Sequence, residues 1–173
     1  MARKIMIELG RQSLTDAIAE IRAYKLDFKR KTGRLAERIA TEISEAALHN
    51  FASAVCNDLV SGGPRPASVS ISVETSGDMR LVIASGEDAV FCEFGAGVTH
   101  NGSPGGSPHP NGTTLGMTIG SYGKGFGARR VWGYYDENEG LVLTRGTPAS
   151  MPMYNAMKDV CGRITTIALE VFA

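Results

Sequence analysis

Ser61-Gly62-Gly63-Pro64-Arg65-Pro66-Ala67-Ser68-Val69-Ser70-Ile71-Ser72-Val73-Glu74 is the stretch where one periodicity stops and another begins. Before it, apolar residues recur every three or four positions. After it, Val69, Ile71 and Val73 alternate with Ser68, Ser70, Ser72 and Glu74, which is the period of a half-buried strand with a serine face. The glycines and prolines between them cannot continue a helix. A helical front followed by strands of short connection defines an α+β chain.

Upstream, Ile5, Ile7 and Leu9 suggest a short strand over residues 4–9, ended by Gly10. Ser13 is a candidate helix N-cap, with Asp16 three residues on. Leu14, Ile18, Ile21, Lys25 and Phe28 recur at helical spacing, and Gly33 is a point of break or kink. The row resumes with Leu35, Ile39, Ile43, Ala46, Ala47, Phe51, Ala54, Val55 and Leu59. A helical region over residues 13–60 is predicted.

Downstream, the turn chemistry of Ser76-Gly77-Asp78 and Ser85-Gly86-Glu87-Asp88 separates Leu81-Val82-Ile83 from a third strand at residues 90–94, making residues 67–95 an antiparallel meander. Residues 96–128 then form a long glycine-rich loop between strands; 11 of the chain's 21 glycines fall within residues 95–127. Connections beyond about 15 residues are usually functional or disordered. Val131, Gly133 and Tyr135 alternate with Arg130, Trp132 and Tyr134, and Leu141-Val142-Leu143 returns after a tight turn, so residues 129–145 read as a hairpin. Met153, Met157, Val160, Ile164, Ile167, Ala168 and Val171 place a closing helix over residues 152–171, with Pro152 in its first turn. The expectation is a single α+β domain: an antiparallel or mixed sheet packed against a long N-terminal helix and a C-terminal helix, with the glycine-rich loop inserted between strands.

With 173 residues the chain is long enough to bury a core without metal or disulfides. Its 18 Lys and Arg balance 18 Asp and Glu, so global charge gives no pull towards nucleic acid or anionic membrane. No apolar run is long enough to span a bilayer, and Met1-Ala2-Arg3-Lys4 leads into no signal-like apolar stretch. Cys56, Cys92 and Cys161 form no Cys-x-x-Cys pair and read as reduced, buried thiols of a cytoplasmic chain. Charge is uneven in one place. Arg22, Lys25, Lys29, Arg30, Lys31, Arg34 and Arg38 are opposed there only by Asp27 and Glu37. Such a face is either simply solvated or meets an acidic partner or DNA.

Motifs for catalysis are few. His100 and His109 flank a flexible segment, but a zinc site needs three or four ligands, and only Cys92 and Glu93 are near in sequence. Gly120–Gly127 resembles a phosphate loop without matching it: after Lys124 stands Gly125, where Ser or Thr is required. No G-x-S-x-G elbow exists. The residues point away from an enzyme, with no cofactor and no metal. What remains is surface: Arg129, Arg130, Trp132, Tyr134 and Tyr135 are of the types that anchor protein interfaces or stack on bases. A glycine-rich arm with few large apolar groups commonly orders on a neighbour.

Val90-Phe91-Cys92-Glu93-Phe94-Gly95-Ala96-Gly97-Val98 resembles the Glu-Phe-Gly core of the gene-product-ten-like head–tail joining proteins of long-tailed bacteriophages. In that family a glycine- and histidine-rich segment follows, then an aromatic strand and a Pro-Ala-containing entry into the last helix. Here these are Val131-Trp132-Gly133-Tyr134, Thr144-Arg145-Gly146-Thr147-Pro148-Ala149 and Ser150-Met151-Pro152-Met153-Tyr154-Asn155-Ala156. The match covers residues 90–156; the usual glycine-then-leucine entry into the first strand is replaced by Gly62-Gly63-Pro64-Arg65-Pro66. The resemblance implies a structural virion protein, made in the host cytoplasm and placed at the neck or upper tail, which completes the tail and joins it to the head. It would act as one subunit of a sixfold ring. Its partners would be copies of itself and the neighbouring neck, tail-terminator or tail-tube proteins, with nonspecific contact to passing DNA and none to membrane.

The resemblance assigns interface roles to Glu93, Phe94, Gly95, His100, His109, Tyr122, Lys124, Phe126, Arg129, Arg130 and Trp132. The basic face from Arg22 to Arg38 would meet DNA or a partner. A tail terminator capping the tube shares the fold class and is the near alternative. A nucleic-acid-binding module using Arg129, Arg130 and Trp132, and a hydrolytic or metal-dependent enzyme using His100, His109 and Glu93, are alternatives of other classes.

Overall fold

The computed structural model describes residues 10–59, 63–96, 108–117, 132–138, 140–144 and 146–173. The expected strand at residues 4–9 and most of the glycine-rich loop lie outside them. The architecture is α+β: a long N-terminal helix, short antiparallel strand pairs and two C-terminal helices.

Helix α1 runs unbroken through Arg11–Ala52, 42 residues, or about 63 Å at the usual rise. Its N-cap is Gly10 rather than Ser13, and no side chain caps it. Gly33 lies within the helix; one glycine costs about 1 kcal/mol, which the good helix formers on either side and the packing of the C-terminal half absorb. The helix stops at Ala52, seven residues before the apolar row ends. Ser53 closes it, its N–H and Oγ both donating to the His49 carbonyl. Ala54, Val55 and Leu59 satisfy a helical period by coincidence: Val55–Leu59 is strand β1. Val, Cys, Asn and Asp are all weak helix formers, and the chain gains pairing with β2, Gly63–Pro66. Gly63–Pro66, within the segment read as a helix stop, is therefore itself a strand. Pro64 and Pro66 cannot donate to a ladder, which suits an edge position.

Strands β3, Ser70–Ser76, and β4, Met79–Ser85, pair in register from Ser70↔Ser85 to Ser76↔Met79. Gly77, at φ +60, is the first residue of their two-residue turn, as the twist of a tight hairpin demands. The third meander strand does not exist. Residues Ala89–Phe94 form a short helix, α2. Val90-Phe91-Cys92 has strand composition, but Ala89, Cys92 and Glu93 are the buried positions, a helical spacing. A short apolar run does not distinguish the two by itself. Strands β5, Trp132–Asp136, and β6, Gly140–Thr144, form the predicted hairpin. The closing helix is two helices: α3, Pro152–Gly162, and α4, Ile164–Phe172, with Arg163 between them at φ −105 and ψ 5.

Among the described residues the strands make three two-stranded pairs rather than one sheet. The β3–β4 hairpin packs on α1, and β6 lies beside β1. The core sits at the C-terminal end of α1, where Phe51, Ala54, Cys56 and Cys92 meet Ala67, Val69, Ile71, Ala84 and Met153. Cys56 and Cys92 have their sulfurs 3.4 Å apart as free thiols; Cys161, expected inside, is exposed. Helices α3 and α4 flank α1. Phe28 meets Phe172 with ring centroids 5.7 Å apart, and Lys31 Nζ donates to the Phe172 carbonyl at 3.1 Å. The N-terminal half of α1 is different. Leu14, Ile18, Ile21 and Phe28, with Lys25 of the same row, are all exposed, although the spacing predicts a buried face; Tyr24 beside them is exposed too, and Ala17 is the buried residue there.

Candidate functional site: the joint at Glu93

Helix α3 begins without a capping side chain of its own. Met151 holds the N-cap position in left-handed backbone, at φ 53. Pro152 follows and has no N–H to satisfy. The next two donors, the N–H groups of Met153 and Tyr154, bond to Glu93 Oε2 at 2.8 Å and Oε1 at 2.9 Å. The N–H of Asn155 is taken by the Met151 carbonyl at 2.9 Å. A carboxylate some 60 residues upstream thus supplies the cap that the local sequence lacks. Its charge also faces the positive end of the helix dipole.

The rest of α2 is tied to the same stretch. The Cys92 carbonyl accepts the N–H groups of Ser150 and Met151 and the Ser150 hydroxyl. Ala96 and Thr147 exchange both backbone bonds, at 2.8 and 3.0 Å. Gly95, at φ +80, ends α2 and turns the chain towards Thr147. At the other end of α2, buried Asp88 accepts the N–H of Ser68 at 2.7 Å, which ties the helix to the segment entering β3.

His109 brings in a third segment. Its ring lies between Phe94 and Tyr154, with centroids at 4.6 and 5.2 Å. Nδ1 accepts the N–H of Asn111 at 3.0 Å, so the proton is on Nε2, which donates to Glu93 Oε1 at 3.1 Å. This assignment makes the contact a hydrogen bond from a neutral imidazole rather than an ion pair. Glu93 and His109 are each only 7% exposed. Turns over residues 108–117, closed by Met117 N–H to the Gly112 carbonyl at 2.7 Å, continue from this anchor.

Of the residues predicted for a subunit contact, the structure brings Glu93, Phe94, Gly95 and His109 together, with Glu93 and His109 buried and Phe94 and Gly95 half-buried. Trp132 starts β5. His100, Tyr122, Lys124, Phe126, Arg129 and Arg130 lie outside the described residues. Among the described residues no group of three metal-ligating side chains occurs, and no helix is long and apolar enough to cross a membrane. Sequence reasoning missed Asp88, the Cys92 carbonyl and the cap itself. A partial signal for the cap was present: Pro152 at the first helical position puts Met151, which has no side-chain oxygen, at the N-cap, and Ser150 stands one residue too early.

The basic face divides in two. Arg30 pairs with Asp27 at 2.6 Å, and Lys31 is bonded to Phe172. Arg38 is held charged, its pKa raised first by the hydrogen bond to Glu42 and then by Glu170. Arg22, Lys25, Lys29 and Arg34 have no ion pair or hydrogen bond among the described residues. Comparisons of the chain with family models, with curated proteins and with solved structures found no match.

Proposed function

We propose that the chain is a structural virion protein of a tailed bacteriophage, one subunit of a ring that completes the tail and joins it to the head. The observation that carries this reading is the joint at Glu93. The two motifs on which the resemblance rests, Glu93-Phe94-Gly95 and Ser150 to Ala156, lie far apart in sequence yet form one hydrogen-bonded unit. Each motif supplies hydrogen-bond partners to the other, which is a physical reason for the two to occur together. The buried Glu93 and His109 are committed to holding three segments, which suits a rigid base for a glycine-rich arm better than a reacting centre. Exposed apolar residues on α1 and on β5–β6 suit a chain that works as part of an assembly.

The test is electron microscopy of a lysate in which this gene alone is inactivated. Full heads beside separate tails of normal length are expected. Tails of uncontrolled length would assign the chain to the tail terminator instead. Infectious particles assembled without it would overturn the virion reading, and salt-sensitive, sequence-specific DNA binding by the purified chain would then favour the nucleic-acid module.

A further inference from the structure

Cys56 and Cys92 are both fully buried, and their sulfurs stand 3.4 Å apart. They come from different elements: Cys56 is the second residue of β1 and Cys92 the fourth of α2. Burial explains a small apolar residue at each position. It does not by itself require the two thiols to meet. A bond of about 2.0 Å asks each sulfur to move by about 0.7 Å, a shift that side-chain rotation supplies.

The two ends of the pair differ in firmness. The Cys92 backbone is fixed on both sides: its N–H donates to the Asp88 carbonyl at 2.8 Å, and its carbonyl accepts Ser150 and Met151. Cys56 has more freedom, because the register of β1 against β2 shifts just after it. Solvent is also close. Val55 and Phe91, the residues preceding the two cysteines, are exposed. A molecule little larger than water has a short path to the sulfurs.

We infer that Cys56 and Cys92 are a redox modification site, which hydrogen peroxide or another small hydroperoxide converts to an internal disulfide. One thiol attacks the peroxide, takes an oxygen and becomes a sulfenic acid, releasing water. The second sulfur attacks the sulfenic sulfur, the S–S bond forms, the S–O bond breaks, and hydroxide leaves with the thiol proton as a second water. Two thiols lose two electrons and one peroxide gains them. The apolar surroundings, Phe51, Val69 and Met153 among them, make the first step slow. The sulfur contact makes the second fast. The bond closes the 36-residue span that carries β2, β3 and β4, and it clamps α2, with Glu93 next to Cys92, to the strand that follows α1. This site is independent of the neck reading and goes beyond it.

The full-length chain carrying Cys161→Ser, treated with hydrogen peroxide in native buffer, tests the inference; the substitution removes the exposed thiol that would join two chains. Peptide mapping without reductant should find the Cys56 and Cys92 peptides joined, with two hydrogens lost, and dithiothreitol should separate them. The joined chain should melt at least about 5 °C higher than the reduced one. Adding Cys56→Ala should abolish that rise. If the doubly substituted chain does not fold, the same chain before and after dithiothreitol gives the comparison. Cys161 of the wild type shows that the oxidant is active. Complete oxidation of Cys161 while Cys56 and Cys92 stay as thiols overturns the inference. So does oxidation of either one to its own oxyacid without joining, or joining that needs denaturant. A joined chain that melts no higher than the reduced chain overturns the clamp.

Discussion

Glu93 Oε1 lies 2.9 Å from the backbone nitrogen of Tyr154, 61 residues further along the chain. This bond, with its companion to Met153, fastens the end of α2 to the start of α3. Because the carboxylate is buried and its bonds are to half-buried backbone donors, replacing it leaves those donors without their protein partner. Glu93→Ala is expected to lower unfolding stability by about 2–3 kcal/mol, and Glu93→Gln by about 1–2 kcal/mol, since an amide can accept one of the bonds but presents N–H to the other. Urea denaturation followed by circular dichroism reads both. Wild-type stability for Glu93→Gln would show that the cap is not what holds the helix start.

His109 should act as the anchor for residues 108–117. His109→Phe keeps a ring between Phe94 and Tyr154 and removes both hydrogen bonds, a loss of about 1 kcal/mol or somewhat more. His109→Ala also removes the ring contacts. Limited proteolysis should therefore cut within residues 108–117 fastest in His109→Ala, more slowly in His109→Phe and slowest in the wild type. Equal rates in all three would mean that the segment is held by something other than this side chain.

The helical front, the β3–β4 and β5–β6 hairpins and the start of α3 at Pro152 were legible because each is governed by local chemistry: period, turn glycines, a proline at the first helical position. Residues 89–94 were not. Val90-Phe91-Cys92 has the composition of a strand, and what makes it helical is tertiary: Cys92 reaches Cys56, Asp88 holds Ser68, and Glu93 must face α3. The end of α1 was misplaced because Val55 and Leu59 continue a period they do not use. For the site, the sequence drew attention to Glu93, Phe94, Gly95 and His109 as subunit-contact residues, but not to the burial of Glu93 and His109. Burial of a glutamate and a histidine is invisible until their partners are known: beside each other, those partners are the backbone N–H groups of Met153, Tyr154 and Asn111, which leave no mark on composition.

The three cysteines should differ sharply in reactivity. Cys56 and Cys92 are fully buried against each other, and Cys161 is exposed on α3. A water-soluble thiol reagent added to the native chain should modify one residue, identified by peptide mapping as Cys161, and reach the other two only in denaturant. Rapid native labelling of Cys92 would contradict the packing of α2 against the end of α1.

Two glycines provide opposite substitutions of the same kind. Gly33 is in the interior of α1, and a methyl group added there meets nothing within 4 Å. Gly33→Ala should stabilise the chain by about 0.5–1 kcal/mol, by removing backbone freedom from the unfolded state and improving helix propensity. Gly86 has φ +143, and an added Cβ would approach the Ser68 carbonyl oxygen, a backbone atom that cannot swing aside. Ser68 is also the residue whose N–H is held by Asp88. Gly86→Ala must therefore displace the entry to β3, the Asp88 bond, or both, and the backbone itself is strained at that φ. A loss of about 2–4 kcal/mol is expected. Thermal melts of the two variants should shift in opposite directions. A Gly86→Ala chain that melts with the wild type would mean that the turn before α2 is not packed against Ser68.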